Sequence, residues 1–381
     1  MEQTKNEQPR ARVETFRMEG RGGVTERHVM VHAVDVRASF AGQLDAVLAA
    51  FSDFCTTEAK GAVSVFWRFF VSDAANQADL VWSRTVETAD CAVSVVEQPP
   101  LDGTKVTLWA YLMTGVRTRV LPGGVYEVSH GAYRHWWSAG NSQQAENAEY
   151  QTRLLLSEWI LRLTEQGCRL ADHCLRTWFF VRDVDVNYAG MVKARNEVFV
   201  TQGLTPQTHF IASTGIGGRG ADAKVSVLMD AYAVGGIRPE QVHYLYAPTH
   251  LNPTYEYGVS FERGTYVDYG DRRHVLVSGT ASIDNRGAIV APGDIRQQTF
   301  RMWENVEALL AEAGCTFREV GQMIVYLRDV ADYTVVKELF DERFPDVPRV
   351  LVWAPVCRPG WLVEMECMAV KPLEANGFPD F

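Results

Sequence analysis

The sequence predicts an α+β protein built from three tandem copies of one unit, with strand and helix order β-β-α-β-α-β-β. Three observations predict it. The last third of the 381 residues alternates short apolar runs with two amphipathic segments, the middle third repeats that order segment by segment, and the first third, more faintly, keeps step with both. The length also exceeds one ordinary domain.

The third unit, 258–371, carries the pattern best. "HVLVSG" is a short β-type run. "PGD" then starts a helix with Asp294 as N-cap, and Ile295, Met302, Val306, Leu309 and Leu310 keep helical spacing until Gly314 stops it. "QMIVYLRD" is a strand, and Tyr333 to Phe344 is a second amphipathic helix that Pro345 ends. The closing stretch "PRVLVWAPVCRPGWLVEMECMAV" (348–370) reads as two apolar strands around a turn, interrupted by Arg349, Glu364 and Glu366.

The middle unit, 125–235, answers this element by element. "YQTRLLLSEWILRLTEQGC" sets Gln151 against Gln298 and Cys168 against Cys315, "TWFFVRDV" sets Arg182–Asp183 against Arg328–Asp329, and "SVLMDAYAV" answers "LVEMECMAV". In the first unit, 25–115, "GQLDAVLAAFSDFC" places Gln43 in step with Gln298, "FWRFFVSD" places Asp73 in step with Asp329, and "VTLWAYLM" closes the copy. "TGVRTRVLPGG" and "GGIRPEQVHYLYAPTHLNP" read as links between the units.

Composition narrows the function classes. Net charge is −10 and the chain has no Lys/Arg-rich run, so nucleic acid is a poor partner. Seven cysteines without a C-x-x-C pair fit a reducing compartment, and His243, His250 and His274 lack zinc spacing, so no metal or other cofactor is expected. The N-terminal stretch lacks the apolar core of a secretory signal, and no run of about 18 apolar residues occurs, so a cytoplasmic protein without a membrane span is expected. "STGIGGRGA" (213–221) precedes a strand rather than a helix and reads as a glycine-rich hairpin tip. The tryptophans of "RHWW" read as core.

The polar residues of the closing stretch are the candidate site. If its strands form a hairpin centred between Val356 and Cys357, Arg349 faces Glu364 with Cβ atoms about 5 Å apart. A plain surface ion pair of that kind contributes under about 1 kcal/mol. A pair needed by the fold should recur in the copies, yet Gln207 and Leu228 stand at these places in the middle unit and Thr107 replaces Glu364 in the first. Glu366 matches Asp230 and reads as structural. One site is expected, in the third unit, closed by a neighbouring one.

From "LVSGTASID" to "LVEMECMAV" the third unit resembles the YjgF/RidA superfamily: a strand ending in S-G, a "GDIRQQT" helix start, "NVEALLAEAG", a strand ending in Asp, and a closing "PR…VEME". The resemblance implies a chorismate-mutase-type fold assembled as a trimer with clefts between subunits. Three copies in one chain then form a covalent pseudo-trimer, working as a monomer or small homo-oligomer. It also implies a deaminase acting on the imine or enamine of a small carboxylate-bearing metabolite. Arg349 would grip the carboxylate, Glu364 would hold the attacking water, and Gly279 fits the pattern. "GVSFERG" departs from it, with Phe261 where the superfamily carries tyrosine and Arg263 two residues later. That departure, with "CRPGWLVE", resembles the chorismatase branch, which removes pyruvate from chorismate. There Glu364 would be a general acid protonating the enol-ether carbon, Cys357 would shape the pocket, Arg263 or Arg349 would bind carboxylates, and Arg358 reads as a solvated loop residue. A non-catalytic binding module is the third expectation.

Overall fold

In the computed structural model, which describes residues 1–7 and 10–381, three six-stranded sheets follow one another along the chain, each with helices on one face. Lobe 1 comprises β1 (Glu2–Glu7), β2 (Ala11–Glu19), β3 (Thr25–Ala33), α1 (Phe40–Thr57), β4 (Val63–Val71), α2 (Ala74–Thr85), β5 (Ala92–Glu97) and β6 (Val106–Thr114). Lobe 2 comprises β7 (Arg117–Leu121), β8 (Val125–His130), β9 (Tyr133–Ser142), α3 (Ala148–Glu165), the short α4 (Leu170–His173), β10 (Cys174–Val181), α5 (Val184–Thr201), β11 (Ala212–Gly217) and β12 (Val227–Gly235). Lobe 3 comprises β13 (Val242–Leu245), β14 (Gly264–Asp268), β15 (Arg272–Ala281), α6 (Ile295–Glu312), β16 (Val320–Leu327), α7 (Tyr333–Arg343), β17 (Arg349–Trp353) and β18 (Val363–Pro372). The sheet orders β1-β2-β3-β6-β4-β5, β7-β8-β9-β12-β10-β11 and β13-β14-β15-β18-β16-β17 are one topology three times.

Each lobe opens with one strand more than the sequence pattern announces. β7 and β13 lie within the stretches read as links, and β1 and β2 precede residue 25. β7 is an edge strand with mostly exposed side chains, so it lacks the alternation of buried and exposed residues that marks a strand.

The recurring glutamine has a common task. Gln43 Oε1 accepts from Lys105 N at 2.7 Å, Gln151 Oε1 from Ser226 N at 2.7 Å, and Gln298 Oε1 from Leu362 N at 3.0 Å. In every lobe it fastens the first long helix to the start of the last strand, satisfying a backbone donor the sheet leaves over. Asp294 caps α6 as expected, accepting from Gln297 N.

The helix-free faces turn inward onto one shared core. Phe66 of lobe 1 lies 5.1 Å from Trp137 of lobe 2, ring centre to ring centre, and the tryptophans of "RHWW" are buried there and beneath α3. Backbone hydrogen bonds close the ring of lobes at each seam: Glu97 N to Arg219 O (2.8 Å), Glu262 N to Ile211 O (3.0 Å) and Trp353 N to Pro99 O (2.8 Å).

Two expected hairpins do not form. β17 runs parallel to β16 after the α7 crossover, and β18 pairs antiparallel with the other edge of β16, so β16 separates them. Arg349 aligns with Met323 and Glu364 with Tyr326, an odd number of residues apart on β16, which puts their side chains on opposite faces. The pairing expected of Arg349 and Glu364 is therefore corrected. The stretch 213–221 likewise holds β11 and the loop after it, with β10 lying between β11 and β12.

Candidate active site

Glu364 enters β18 opposite Ala281, next to a register shift in β15 between Val277 and Thr280. That bulge contains Gly279, and a Cβ there would lie 2.1 Å from Glu364 Oε1. Glycine is needed for the carboxyl group to fit. Gly279 N also donates to Thr214 Oγ1 of lobe 2 at 2.9 Å, which ties the bulge across the seam. Burial pushes the Glu364 carboxyl up to about 8; Glu366 adds to the rise, while Arg263 and Arg176 oppose it. At neutral pH Glu364 is a carboxylic acid, able to donate a proton.

Lobe 2 forms the facing wall. Tyr188 and Arg195 are seven residues apart on α5 and so share a helix face, and β11 adds Ser213, Thr214 and Gly215. A Cβ on Gly215 would come within 3.0 Å of the Tyr188 ring, so the bare backbone is what lets the ring lie flat. Arg195 is 1% exposed, yet its Nε and Nη2 have no hydrogen-bond partner among the described residues. Around it stand the rings of Phe179 and Phe261, 5.9 and 5.8 Å from the guanidinium carbon, and burial lowers its pKa. A buried guanidinium with two unused donors has the chemistry to pair with a carboxylate.

The roof comes from lobe 3. Arg263 donates from Nη2 to Asn252 O (2.9 Å) and Oδ1 (3.1 Å), and from Nε to Asn252 O (3.3 Å); none of these bonds uses Nη1. Arg358 stacks between Tyr257 (4.8 Å) and Trp361 (5.2 Å), bridging the segment before β14 and the loop between β17 and β18. Beneath them the cavity holds about 30 Å³ of free space, and a second cavity of about 270 Å³ lies on the far side of Arg263, lined by His209, Phe210, Tyr246 and Glu262. Burial pushes the Cys357 thiol up to about 12, Glu364 adding to the rise, so Cys357 is a neutral wall residue rather than a reactive thiolate.

Of the residues singled out from the sequence, Glu364, Cys357, Arg263, Phe261 and Gly279 line this one cavity. Arg349 does not: its guanidinium donates to Phe344 O (2.5 Å), Val347 O (3.2 Å) and Asp341, on the helix face of lobe 3. Arg358 is an exposed loop residue, as expected, and its guanidinium also stacks over Tyr257 and Trp361 at the rim of the cavity. Sequence reasoning missed Arg195, Tyr188, Tyr257 and Trp361. The one signal for Arg195 was a charge among Met191, Ala194 and Phe199, the inward positions of α5. Among the described residues no group of three or more His, Cys, Asp or Glu could hold a metal ion, and no helix is long and apolar enough to cross a membrane.

A trimer-type fold with an acid and buried arginines at one inter-lobe seam defines the class, and comparison with known proteins places the chain within it. Residues 261–371 match the family described as Endoribonuclease L-PSP. A RutC family protein of Pyrococcus abyssi is 35% identical over 99 residues, 26% of this chain and 78% of the relative. The 3-aminoacrylate deaminase RutC of Acinetobacter baylyi is 31% identical over 97 residues, 25% of this chain and 77% of the enzyme. The chain belongs to this family, the YjgF/RidA superfamily of the sequence resemblance. Its threefold architecture is shared with a crystal structure of a chorismatase, at a TM-score of 0.64 and 17% identity over 80% of this chain and 92% of that one.

Proposed function

We propose that the cleft hydrolyses the enolpyruvyl ether of chorismate or a closely similar dicarboxylate, releasing pyruvate. The observation that carries this reading is a buried carboxyl, its pKa pushed up to about 8, facing buried guanidinium groups across a small inter-lobe cavity. Arg195 and Arg263 bind the carboxylates. Glu364 gives its proton to the terminal methylene carbon of the vinyl ether, leaving positive charge shared between the vinyl carbon and the ether oxygen. Water adds to that carbon. The resulting hemiketal returns a proton to Glu364 and breaks its bond to the ring oxygen, which leaves as a hydroxyl while the side chain leaves as pyruvate. One water is consumed and no cofactor is required. The shared fold with a chorismatase supports the reading, and Cys357 bounds the space beside the acid.

Tyr257, Arg358 and Trp361 cover the cavity from the lobe 3 side. The three lobes already close a ring, and the working unit is one chain; a solution mass equal to three chains contradicts this.

A second reading, hydrolysis of a carboxylate-bearing imine or enamine, is favoured by the identity to the 3-aminoacrylate deaminase. It uses the same residues, with Glu364 orienting water from its ionised form. Purified protein incubated separately with chorismate and with 3-aminoacrylate separates the two. Pyruvate from chorismate supports the first reading, faster ammonia release supports the second, and silence in both leaves a binding module.

A further inference from the structure

Glu364 and Glu366 alternate with Met365 and Cys367 on β18, so they project from one face about 6.5–7 Å apart along the strand. Their surroundings differ. Glu366 is 1% exposed and accepts from Trp178 Nε1 at 2.7 Å and Arg176 Nη2 at 2.9 Å, both from β10 of lobe 2. A guanidinium and an indole N–H are the partners of an ionised carboxylate. No donor among the described residues reaches the Glu364 oxygens. Arg176 Nη2 donates further to Thr214 Oγ1 at 2.6 Å, the atom that holds Gly279 N, so the buried ion pair is anchored to the floor on which the Glu364 carboxyl rests.

We propose that Glu366 is a positioning residue for the reaction: held as an anion beside Glu364, it keeps that neighbour in the acid form from which a proton is given. The inference rests on the reading of Glu364 as proton donor. Lobe 2 supplies an internal control. Asp230 holds the register of Glu366 and pairs with Arg68 at 2.7 Å, but its neighbour two residues back is Leu228, so that pair has nothing to titrate. The same kind of ion pair faces an acid only in lobe 3.

Other groups face Glu364 from each packed element. Tyr326 aligns with it on β16, Arg176 approaches from β10, and Tyr188 and Arg195 from α5. Tyr257 and Arg263 approach from the segment before β14, and Cys357 and Arg358 from the loop before β18. Of the arginines, Arg263 and Arg176 favour the ionised form. Among these groups Glu366 is the one fixed anion on the face, and its charge acts most strongly after burial itself.

The test needs no substrate. The carbonyl stretch of protonated Glu364 is identified in the infrared spectrum as the band lost in Glu364→Gln, and its titration is followed in the full chain. In Glu366→Gln the midpoint falls by about one to two pH units. In the double variant Arg176→Gln/Glu366→Gln, which removes both charges and keeps hydrogen-bonding groups, it falls by less. A midpoint that stays or rises in a folded variant overturns the proposal. Failure of both variants to fold assigns Glu366 a structural task alone and overturns it equally. Because the band is read without turnover, a protein that never releases pyruvate yet shows the shift refutes the proposed reaction and leaves this inference standing.

Discussion

Arg349 and Glu364 stand on opposite faces of one sheet and serve different seams. Glu364 faces lobe 2, whereas Arg349 N donates to Glu14 of lobe 1 at 3.2 Å and its side chain closes the C-terminal end of α7. Each lobe presents its edge strand to one neighbour and its central strands to the other. A single copy of each residue in one chain therefore cannot meet at one cleft. Replacing Arg349 by alanine leaves the carbonyls of Phe344 and Val347 without their donor and costs about 1–3 kcal/mol of stability. Denaturant unfolding reads that loss, and turnover per folded molecule stays at the wild-type value. Selective loss of substrate affinity at unchanged stability would return Arg349 to the site.

Gly279→Ala tests the fit of the acid. The added carbon lies 2.1 Å from Glu364 Oε1 and 3.1 Å from Thr214 Cγ2, so the carboxyl must swing away. A misplacement on this scale costs on the order of 10²-fold in kcat/KM. The far-ultraviolet circular dichroism spectrum stays that of the folded protein.

Arg195→Met keeps the length and apolar stem of the side chain and removes the charge. One charge-assisted hydrogen bond is worth about 1.5–3 kcal/mol, so KM rises by about 10–100-fold, with a smaller change in kcat. Nε and Nη2 bond nothing among the described residues, so the loss of stability is confined to the contacts with Tyr188, Phe179 and Phe261 and stays within about 1 kcal/mol, which a thermal melt measures.

Stability against pH reports the protonation of Glu364 independently of activity. Its folded pKa, about 8, lies above the ordinary value of 4.5, so the folded state keeps a proton that the unfolded chain releases. The contribution of Glu364 to wild-type stability therefore falls as pH rises between those values, at a rate approaching about 1.4 kcal/mol per pH unit. Glu364→Gln lacks this contribution, and its advantage over wild type grows with pH and levels off above 8. His28 and His130 act in the opposite sense: burial lowers both from 6.5 to about 4, so stability falls as pH drops through that window in both proteins. Parallel pH curves for the two proteins would show Glu364 ionised throughout.

The threefold architecture was legible because Gln43, Gln151 and Gln298 each do the same local task, fastening a helix to a strand of their own lobe. The equivalence of Glu364, Leu228 and Thr107 was legible too. Each pairs with the penultimate residue of the strand before the second helix: Tyr326, Phe180 and Phe70. Arg349 was misread because its place depends on which strand lies between β17 and β18, a non-local fact. Its partner in lobe 2 is Ser213, aligned with Thr177 as Arg349 is with Met323, and not Gln207. Arg195 and Tyr188 were beyond reach, since no spacing within lobe 3 announces a wall contributed by another lobe.

The most direct measurement is pyruvate formation from chorismate by Glu364→Gln beside the wild-type protein, with substrate binding followed in parallel. The amide keeps the shape and has no proton to give, so turnover falls by about 10²–10⁴-fold while binding through Arg195 and Arg263 persists. Turnover within a few-fold of wild type would contradict the assignment of Glu364 as the acid at the centre of this site.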